Sequence, residues 1–250
     1  MRNYFRIAMR RLGYDIVRNS RPADVGLPRD LMDEELEIYR KVEPYTMTGV
    51  ERVVTLIRAV RYLIDNGIEG DFVECGVWRG GSMMAVAYAL RSIGVMGRKL
   101  FLYDTFSGMP APSDRDARYD GETASDLLAT VTKDTPVWAY ASHEDVTTNL
   151  ASTGYPMENI RFIQGKVEDA IPQEAPTRIC LLRLDTDWYE STKHELIHLY
   201  PRLERNGILI IDDYGHWRGA KEATDEFFGQ SKPAPFLHRI DYTGRLVVKT

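Results

Sequence analysis

The chain has 250 residues, of which 44% are hydrophobic and 28% are charged. This balance predicts a folded chain that buries one large core, and it excludes a disordered or fibrous protein. The net charge of −5 argues against nucleic acid as a partner, because neutralising phosphates requires clustered lysine and arginine. No apolar run reaches membrane-spanning length, so we expect no membrane partner either.

The N-terminal segment Met1–Arg21 is basic, and charged residues interrupt its apolar stretch. It lacks the apolar core of a secretory signal, so we expect a cytoplasmic protein. An amphipathic helix in this segment would pack on the domain or on a partner subunit, and we expect a homo-oligomer. Both cysteines, Cys75 and Cys180, fall in apolar runs and are expected to be buried thiols.

Helical and strand patterns alternate from residue 48 to the C-terminus. A capping-box pattern at Thr48–Glu51 opens a helix whose apolar residues recur at helical spacing until Asn66-Gly67 stops it. Further helices are predicted at 83–92, 142–150, 190–203 and 219–228, with Ser82 and Ser142 as N-caps. Strands are predicted at 72–75, 99–104, 160–164, 179–185, 207–213, 236–241 and 245–249.

This alternation predicts an α/β fold with a mostly parallel sheet of seven strands and helices on both faces. The final hairpin adds one antiparallel strand, which gives a Rossmann-like arrangement. We expect one domain over residues 1–250 with a helical extension at about 1–44. The polar stretch at about 105–141 has no strong periodicity, and its length indicates a functional loop or lid.

A glycine-containing loop, Glu74–Ser82, follows the first predicted strand. Ligands of open α/β sheets bind outside the carboxyl ends of the strands, and Gly76 and Gly80 let the backbone approach a ligand closely. The spacing is Glu-x-Gly-x-x-x-Gly, which differs from the dinucleotide loop Gly-x-Gly-x-x-Gly and favours S-adenosyl-L-methionine. A tight strand–helix connection without a ligand is the alternative.

Two further acids strengthen the cofactor prediction. Asp104 ends the second strand, where a carboxylate can accept both ribose hydroxyls of the cofactor. Asp169 follows the third strand and lies either near the adenine or, as a solvated carboxylate, at the start of a helix.

The fourth and fifth strands also end in acids. Asp185 and Asp187 follow the fourth strand, and Asp212 and Asp213 follow the fifth. Carboxylates that converge in one cleft repel one another unless a cation is present, and an all-oxygen set suits Mg²⁺. If extended geometry continued, Asp185 and Asp187 would share a face, and one could bind metal while the other accepts a proton. The sequence leaves their roles open. Arg183, inside the same apolar strand, needs a partner such as one of these acids.

From Tyr45 to the C-terminus the chain resembles the macrocin O-methyltransferase family, which methylates deoxysugar hydroxyls of macrolides, aminocoumarins and related products. The resemblance lies in residues 45–48, 70–82, 104–110, 184–192 and 211–215. It implies a Mg²⁺ site at Asp185, Asp212 and Asp213 and Asp187 as the general base, so Asp187 and Asp185 are the expected catalytic residues. The motifs and the resemblance together predict that the cofactor contacts Thr46, Met47, Thr48, Glu74, Gly76, Trp78, Ser82, Asp104, Thr105 and Asp169.

The expected activity is S-adenosylmethionine- and Mg²⁺-dependent O-methylation of a sugar hydroxyl on a small-molecule glycoside, as in antibiotic biosynthesis. His216 is an alternative base, an acceptor contact or a structural histidine. Two other functions stay open. One is a catechol-type O-methyltransferase acting on a phenolic acceptor, and the other is a non-catalytic, methyltransferase-like binding subunit.

Overall fold

The structure is a computed structural model that describes residues 27–132, 135–229, 231 and 233–250. The chain divides into two compact units, Met1–Leu31 and Met32–Thr250, and every element named below belongs to the second. The amphipathic helix predicted at Met1–Arg21 lies outside the described residues. Within the described ranges, no helix is both long and apolar enough to cross a membrane.

Helices and strands alternate along the second unit. The helices are α1 (Asp33–Val42), α2 (Val50–Asp65), α3 (Gly81–Ser92), α4 (Ala124–Thr130), α5 (His143–Ser152), α6 (Val167–Ala170), α7 (Tyr189–Leu199) and α8 (Arg218–Gly229). The strands are β1 (Asp71–Cys75), β2 (Leu100–Asp104), β3 (Ile160–Gln164), β4 (Ile179–Leu184), β5 (Leu203–Ile211), β6 (His238–Arg239) and β7 (Arg245–Val248).

The strands form one seven-stranded sheet in the order β3-β2-β1-β4-β5-β7-β6. Strands β1 to β5 pair in parallel, whereas β7 is antiparallel to both of its neighbours. The predicted α/β fold with a mostly parallel sheet and one antiparallel strand is therefore confirmed. The strand order changes direction between β1 and β4, and a crevice at such a switch point is where an open sheet binds ligands.

The central strands are buried on both faces. In β1, Phe72 packs into the core on the side of α2 and α3, whereas the next residue, Val73, packs into the core that contains Leu196 of α7. Alternate residues of a strand point to opposite faces, so these continuous apolar runs require helices on both sides of the sheet. β1 and β4 end side by side at one edge of the sheet, because Cys75, the last residue of β1, pairs with Leu184, the last residue of β4.

Two predicted helix starts are wrong. Helix α2 has Gly49 as its N-cap and no side-chain cap, because the hydroxyl of Thr48 instead accepts a hydrogen bond from the buried Arg183 guanidinium at 3.0 Å. Helix α3 begins at Gly81, which places Ser82 inside its first turn. The cap at Ser142 is confirmed, since its Oγ accepts the N–H of Asp145 at 3.1 Å.

Candidate active site

A cavity of about 440 Å³ opens at the carboxyl ends of β1, β2, β4 and β5. Its wall contains the predicted site residues Thr46, Met47, Thr48, Gly76, Trp78, Ser82, Asp104, Thr105, Asp185, Asp187, Asp212 and Asp213. Two predicted residues do not line it. Glu74 is buried behind the wall, and Asp169 is exposed on α6, beside a separate surface depression. The volume lies in the range of small-molecule sites.

The loop after β1 depends on close backbone approaches. Gly76 has φ +80°, and a Cβ there would lie 2.7 Å from the carbonyl carbon of Asp185. Gly81 faces the segment before α2, and a Cβ there would lie 2.6 Å from the carbonyl carbon of Tyr45. Glycine is required at both positions because no side chain fits between the two backbones. The loop therefore packs against the backbone of Asp185 and against the segment Tyr45–Thr46.

We expect Gly76→Ala to unfold the site, whereas Gly67→Ala should be far milder. Both glycines have left-handed backbones, with φ +80° and +64°, but a Cβ at Gly67 would have nothing within 4 Å. Gly67→Ala should therefore show only the conformational cost, about 1–2 kcal/mol. Gly76→Ala adds the collision with Asp185. The free energy of unfolding of both variants, measured in urea, tests this; equal losses would contradict the close approach.

Asp104 holds the loop through backbone hydrogen bonds. Its Oδ2 accepts the N–H groups of Val77 and Trp78 at 2.8 and 3.1 Å, and its Oδ1 accepts that of Phe106 at 2.8 Å. Burial raises the pKa of Asp104, and these three donors oppose the rise. Two carboxylate oxygens offer about four acceptor positions, so the carboxylate keeps capacity for a further donor.

The acids after β4 and β5 converge as predicted. Asp185, Asp212 and Asp213 each offer a carboxylate oxygen, and these oxygens lie within 4.8 Å of one another. The Oδ2 of Asp213 also accepts the backbone N–H of Asp187 at 3.2 Å. The four acids therefore form one cluster, hereafter the acid cluster.

Two arginines neutralise part of the acid cluster. The buried Arg183 of β4 forms ion pairs with Glu74, with Asp185 at 2.7 Å and with Asp212 at 2.6 Å, which confirms that it pairs with cluster acids. Arg52 of α2 pairs with the other oxygen of Asp212 and, at 2.8 Å, with Asp241. Asp212 is thus held at both oxygens by guanidinium groups. Arg52 was missed from the sequence because an arginine in the first turn of a helix carries no motif.

The pKa values divide the acids into two groups. Burial alone would raise the pKa of Asp212, but Arg183 and Arg52 outweigh it and lower that pKa. Burial and neighbouring carboxylates raise the pKa of Asp185 and of Asp213 well above the ordinary range. Burial and Asp185 raise the pKa of Asp187 to about 7. Behind the wall, burial raises the pKa of Glu74 to about 7 despite Arg183.

The acid cluster has the composition of a divalent-cation site. Its donors are all carboxylate oxygens, the donor type that Mg²⁺ prefers. Arg183 and Arg52 outweigh burial only at Asp212, whereas the pKa of Asp185 stays raised despite Arg183 and the pKa of Asp213 stays raised despite Arg52. A divalent cation would relieve this repulsion, so the residues present fit such an ion.

Asp187 does not continue the strand. β4 ends at Leu184, and Asp187 has a left-handed backbone with φ +67°. The expectation that extended geometry places Asp185 and Asp187 on one face is therefore wrong, because the chain turns between them. The turn is closed by a hydrogen bond from the N–H of Trp188 to the carbonyl of Thr186 at 2.7 Å.

The far wall of the cavity comes from segment 105–141 and from the loops after β4, β5 and β6. It is mainly apolar, with Met109, Pro110, Leu127, Val137, Trp188, Trp217 and Tyr242 among its residues. His216 lies there half-buried, and burial together with Arg118 lowers the pKa of its imidazole. The sequence predicted a functional loop or lid over this segment, but without periodicity it did not single out Met109, Leu127 or Val137.

Comparison with known proteins agrees with this arrangement. The family model described as Macrocin-O-methyltransferase (TylF) matches residues 36–249. The chain is 34% identical to demethyldecarbamoylnovobiocin O-methyltransferase of Streptomyces niveus over 200 residues, covering 80% of this chain and 74% of that protein. It is 32% identical to 8-demethyl-8-(2,3-dimethoxy-alpha-L-rhamnosyl)-tetracenomycin-C 4'-O-methyltransferase of Streptomyces olivaceus over 209 residues, with the same coverages. The solved structure of the O-methyltransferase NovP superposes with a TM-score of 0.72 at 32% identity, covering 82% of each chain.

Proposed function

The chain belongs to the macrocin O-methyltransferase family, and from this premise we propose that it methylates a sugar hydroxyl of a glycosylated small molecule in a Mg²⁺-dependent reaction. Its fold is that of S-adenosylmethionine-dependent O-methyltransferases. The observation that carries the proposal is the meeting of the Glu74–Ser82 loop and the acid cluster in one cavity. The Streptomyces olivaceus relative, named as a 4'-O-methyltransferase of a rhamnosyl-tetracenomycin, supports a sugar as the acceptor.

The cofactor end of the cavity is the side formed by the Glu74–Ser82 loop. Thr46, Met47 and Thr48 line it from the segment before α2, and Gly76, Trp78, Ser82, Asp104 and Thr105 line it from the sheet side. S-adenosylmethionine supplies a methyl group on a positively charged sulfur when bound. Glu74 acts from behind the wall, where Arg183, which itself lines the cavity, joins it to the hydroxyl of Thr48. Asp169 lines a separate surface depression and not this cavity, so its position does not support a contact with the adenine.

Asp185, Asp212 and Asp213 would hold the Mg²⁺. When bound, the ion supplies Lewis acidity that lowers the pKa of a coordinated hydroxyl. Arg183 and Arg52 keep Asp212 charged and oriented, because each guanidinium engages a different oxygen of its carboxylate.

Asp187 is the general base in this proposal. The hydroxyl proton of the acceptor moves to the Asp187 carboxylate, the acceptor oxygen forms a bond to the methyl carbon, and the carbon–sulfur bond breaks with its electrons remaining on sulfur. A base with a pKa near the working pH transfers protons efficiently, and the pKa of Asp187 is raised to about 7. The surrounding walls orient the two reactants and exclude water.

The acceptor class is tested with labelled S-adenosylmethionine and a panel of acceptors. We expect an O-rhamnosyl glycoside of an aromatic aglycone to be methylated about tenfold faster than catechol or caffeate, because the apolar far wall of the cavity can bury an aglycone that these small phenols lack. Carbon NMR of the product should place the new methoxyl group on a sugar carbon. Methylation of the phenols alone would establish the catechol-type alternative. Absence of S-adenosylmethionine binding by calorimetry, with and without Mg²⁺, would establish the binding-subunit alternative.

A further inference from the structure

Asp116 is a buried acid in segment 105–141 with no role assigned above. Its side chain is 1% exposed. One oxygen, Oδ2, accepts the backbone N–H and the hydroxyl of Ser113 at 2.7 and 2.8 Å. The other, Oδ1, accepts the backbone N–H of Tyr189 at 2.8 Å, across 73 residues of chain. Asp116 therefore connects this segment directly to the loop that carries Asp187.

The N–H that Asp116 accepts is the first one of helix α7. The residue before this helix, Trp188, provides no side-chain cap. The first N–H groups of a helix have no partner within the helix, and a carboxylate stabilises them through both the hydrogen bond and the helix dipole. Asp116 thus acts as the N-terminal cap of α7, although it belongs to a distant part of the chain.

Gly219 leaves the space that the contact between Asp116 and Tyr189 needs. A Cβ at Gly219, at the start of α8, would collide with Asp116 Oδ1 and lie 2.9 Å from the nitrogen of Tyr189. A second bond joins the same two segments, because the indole N–H of Trp188 donates to the carbonyl of Pro110 at 3.1 Å. A third lies alongside, from the N–H of Arg218 to the carbonyl of Ala117 at 2.9 Å. Residues 110–117 of this segment are therefore hydrogen-bonded to residues that follow the acids of β4 and β5 in the chain.

Asp187 lies two residues before the capped N–H and has a left-handed backbone at φ +67°. Residues other than glycine keep such a backbone only where their neighbours hold it in place. The restraints on this turn are the Asp187 N–H to Asp213 at 3.2 Å, the Trp188 N–H to Thr186 at 2.7 Å, and the Asp116 cap on Tyr189. The Asp116 cap, like the bond from the Trp188 indole to Pro110, comes from the segment that also forms the far wall of the cavity.

We propose that Asp116 is a positioning residue for Asp187, and that it makes the placement of the base depend on the segment that contacts the acceptor. The inference rests on the proposed function, in which Asp187 takes the acceptor proton. Its basis is the bond from Tyr189 to Asp116 and the space that Gly219 leaves for it. Without this hydrogen bond the backbone at Tyr189 is less restrained, and the Asp187 carboxylate is no longer held in position.

The experiment compares Asp116→Ala and Asp116→Asn with Thr123→Ala. The asparagine is isosteric and keeps one acceptor oxygen, whereas alanine keeps none. Thr123 is the matched control, since its Oγ1 caps α4 in the same segment by accepting the N–H of Asp126 at 3.0 Å. We expect kcat to fall about 100-fold in Asp116→Ala and less in Asp116→Asn, because a misplacement of about 1 Å can cost that much. The Kd for S-adenosylmethionine, measured by calorimetry, should stay within about twofold.

Amide hydrogen exchange gives a readout that does not depend on turnover. Protection of the amides at 188–190 should fall in both Asp116 variants and stay unchanged in Thr123→Ala, whose kcat should stay within about twofold of wild type.

Wild-type kcat in Asp116→Asn and Asp116→Ala would overturn the proposal. So would equal losses of kcat and cofactor affinity, which indicate general destabilisation. If Asp116→Ala does not fold, Asp116→Asn decides alone. An inactive wild type would instead refute the proposed function itself.

Discussion

Asp187→Asn should lower kcat by about 10²–10⁴-fold, the range expected for removing a general base. The asparagine amide cannot take the acceptor proton, yet it matches the carboxylate in size. Asparagine also tolerates a left-handed backbone, so the turn at φ +67° should persist. The bond from its backbone N–H to Asp213 does not involve the substituted side chain. Affinities for S-adenosylmethionine and Mg²⁺, measured by calorimetry, should therefore stay near wild type.

The matched control is Asp225→Asn on α8. Asp225 is an exposed acid that pairs with Lys221 and Tyr214, away from the cavity wall, so its loss of charge should leave kcat unchanged. Normal turnover of Asp187→Asn with metal still bound would show that another group is the base. His216 is then the next candidate, because its lowered pKa leaves a neutral imidazole on the cavity wall. His216→Asn would separate the two residues.

Removal of the divalent cation should lower activity by about 100-fold or more, since Lewis-acid stabilisation contributes several kcal/mol. Dialysis against EDTA should produce this loss, and added Mg²⁺ should restore methyl transfer. Asp213→Asn should weaken Mg²⁺ binding while keeping an oxygen that can accept the Asp187 N–H. Calorimetry with Mg²⁺ and the activity at each Mg²⁺ concentration are the measurements. Activity that survives EDTA would contradict the metal site.

Asp213→Asn should weaken Mg²⁺ binding without destabilising the metal-free protein. Asp213 lies among carboxylates that raise its pKa, so neutralising it removes repulsion when no cation is present. We expect the metal-free Asp213→Asn protein to unfold at a Tm no lower than that of wild type. Mg²⁺ should raise the Tm of wild type more than that of the variant, because an ion that binds the folded state stabilises it more the more tightly it binds. A variant destabilised without metal would point to a structural role for Asp213.

The fold and the outline of the site follow from patterns that lie along the chain. Strands such as β4 are continuous apolar runs, and a parallel sheet brings the residue after each strand to one edge. For that reason Asp104, Asp185 and Asp212 could be placed at one cleft before any contact was known. Gly76 was recognised in the same way, because a glycine directly after a strand lets the backbone approach another group closely.

Other features of the site depend on contacts between residues that are far apart in the sequence, and these were predicted wrongly. The capping box at Thr48 failed because the hydroxyl of Thr48 bonds to Arg183, 135 residues away. The extended-strand prediction failed at Asp187 because the chain turns after Leu184. Asp169 is an acid after a strand, like Asp104, yet α6 places it on the surface.

The sequence by itself determined the α/β fold, the loop at Gly76 and the collection of acids at one edge of the sheet, because hydrophobic periodicity and strand direction are local properties. Only the tertiary structure decided which cations neutralise Asp212 and which residue caps α7. Arg52 and Asp116 carry no local signal, since each is defined by a partner more than 70 residues away. Such pairings depend on how whole elements pack, and that packing is set by the core rather than by any pattern near the residues themselves.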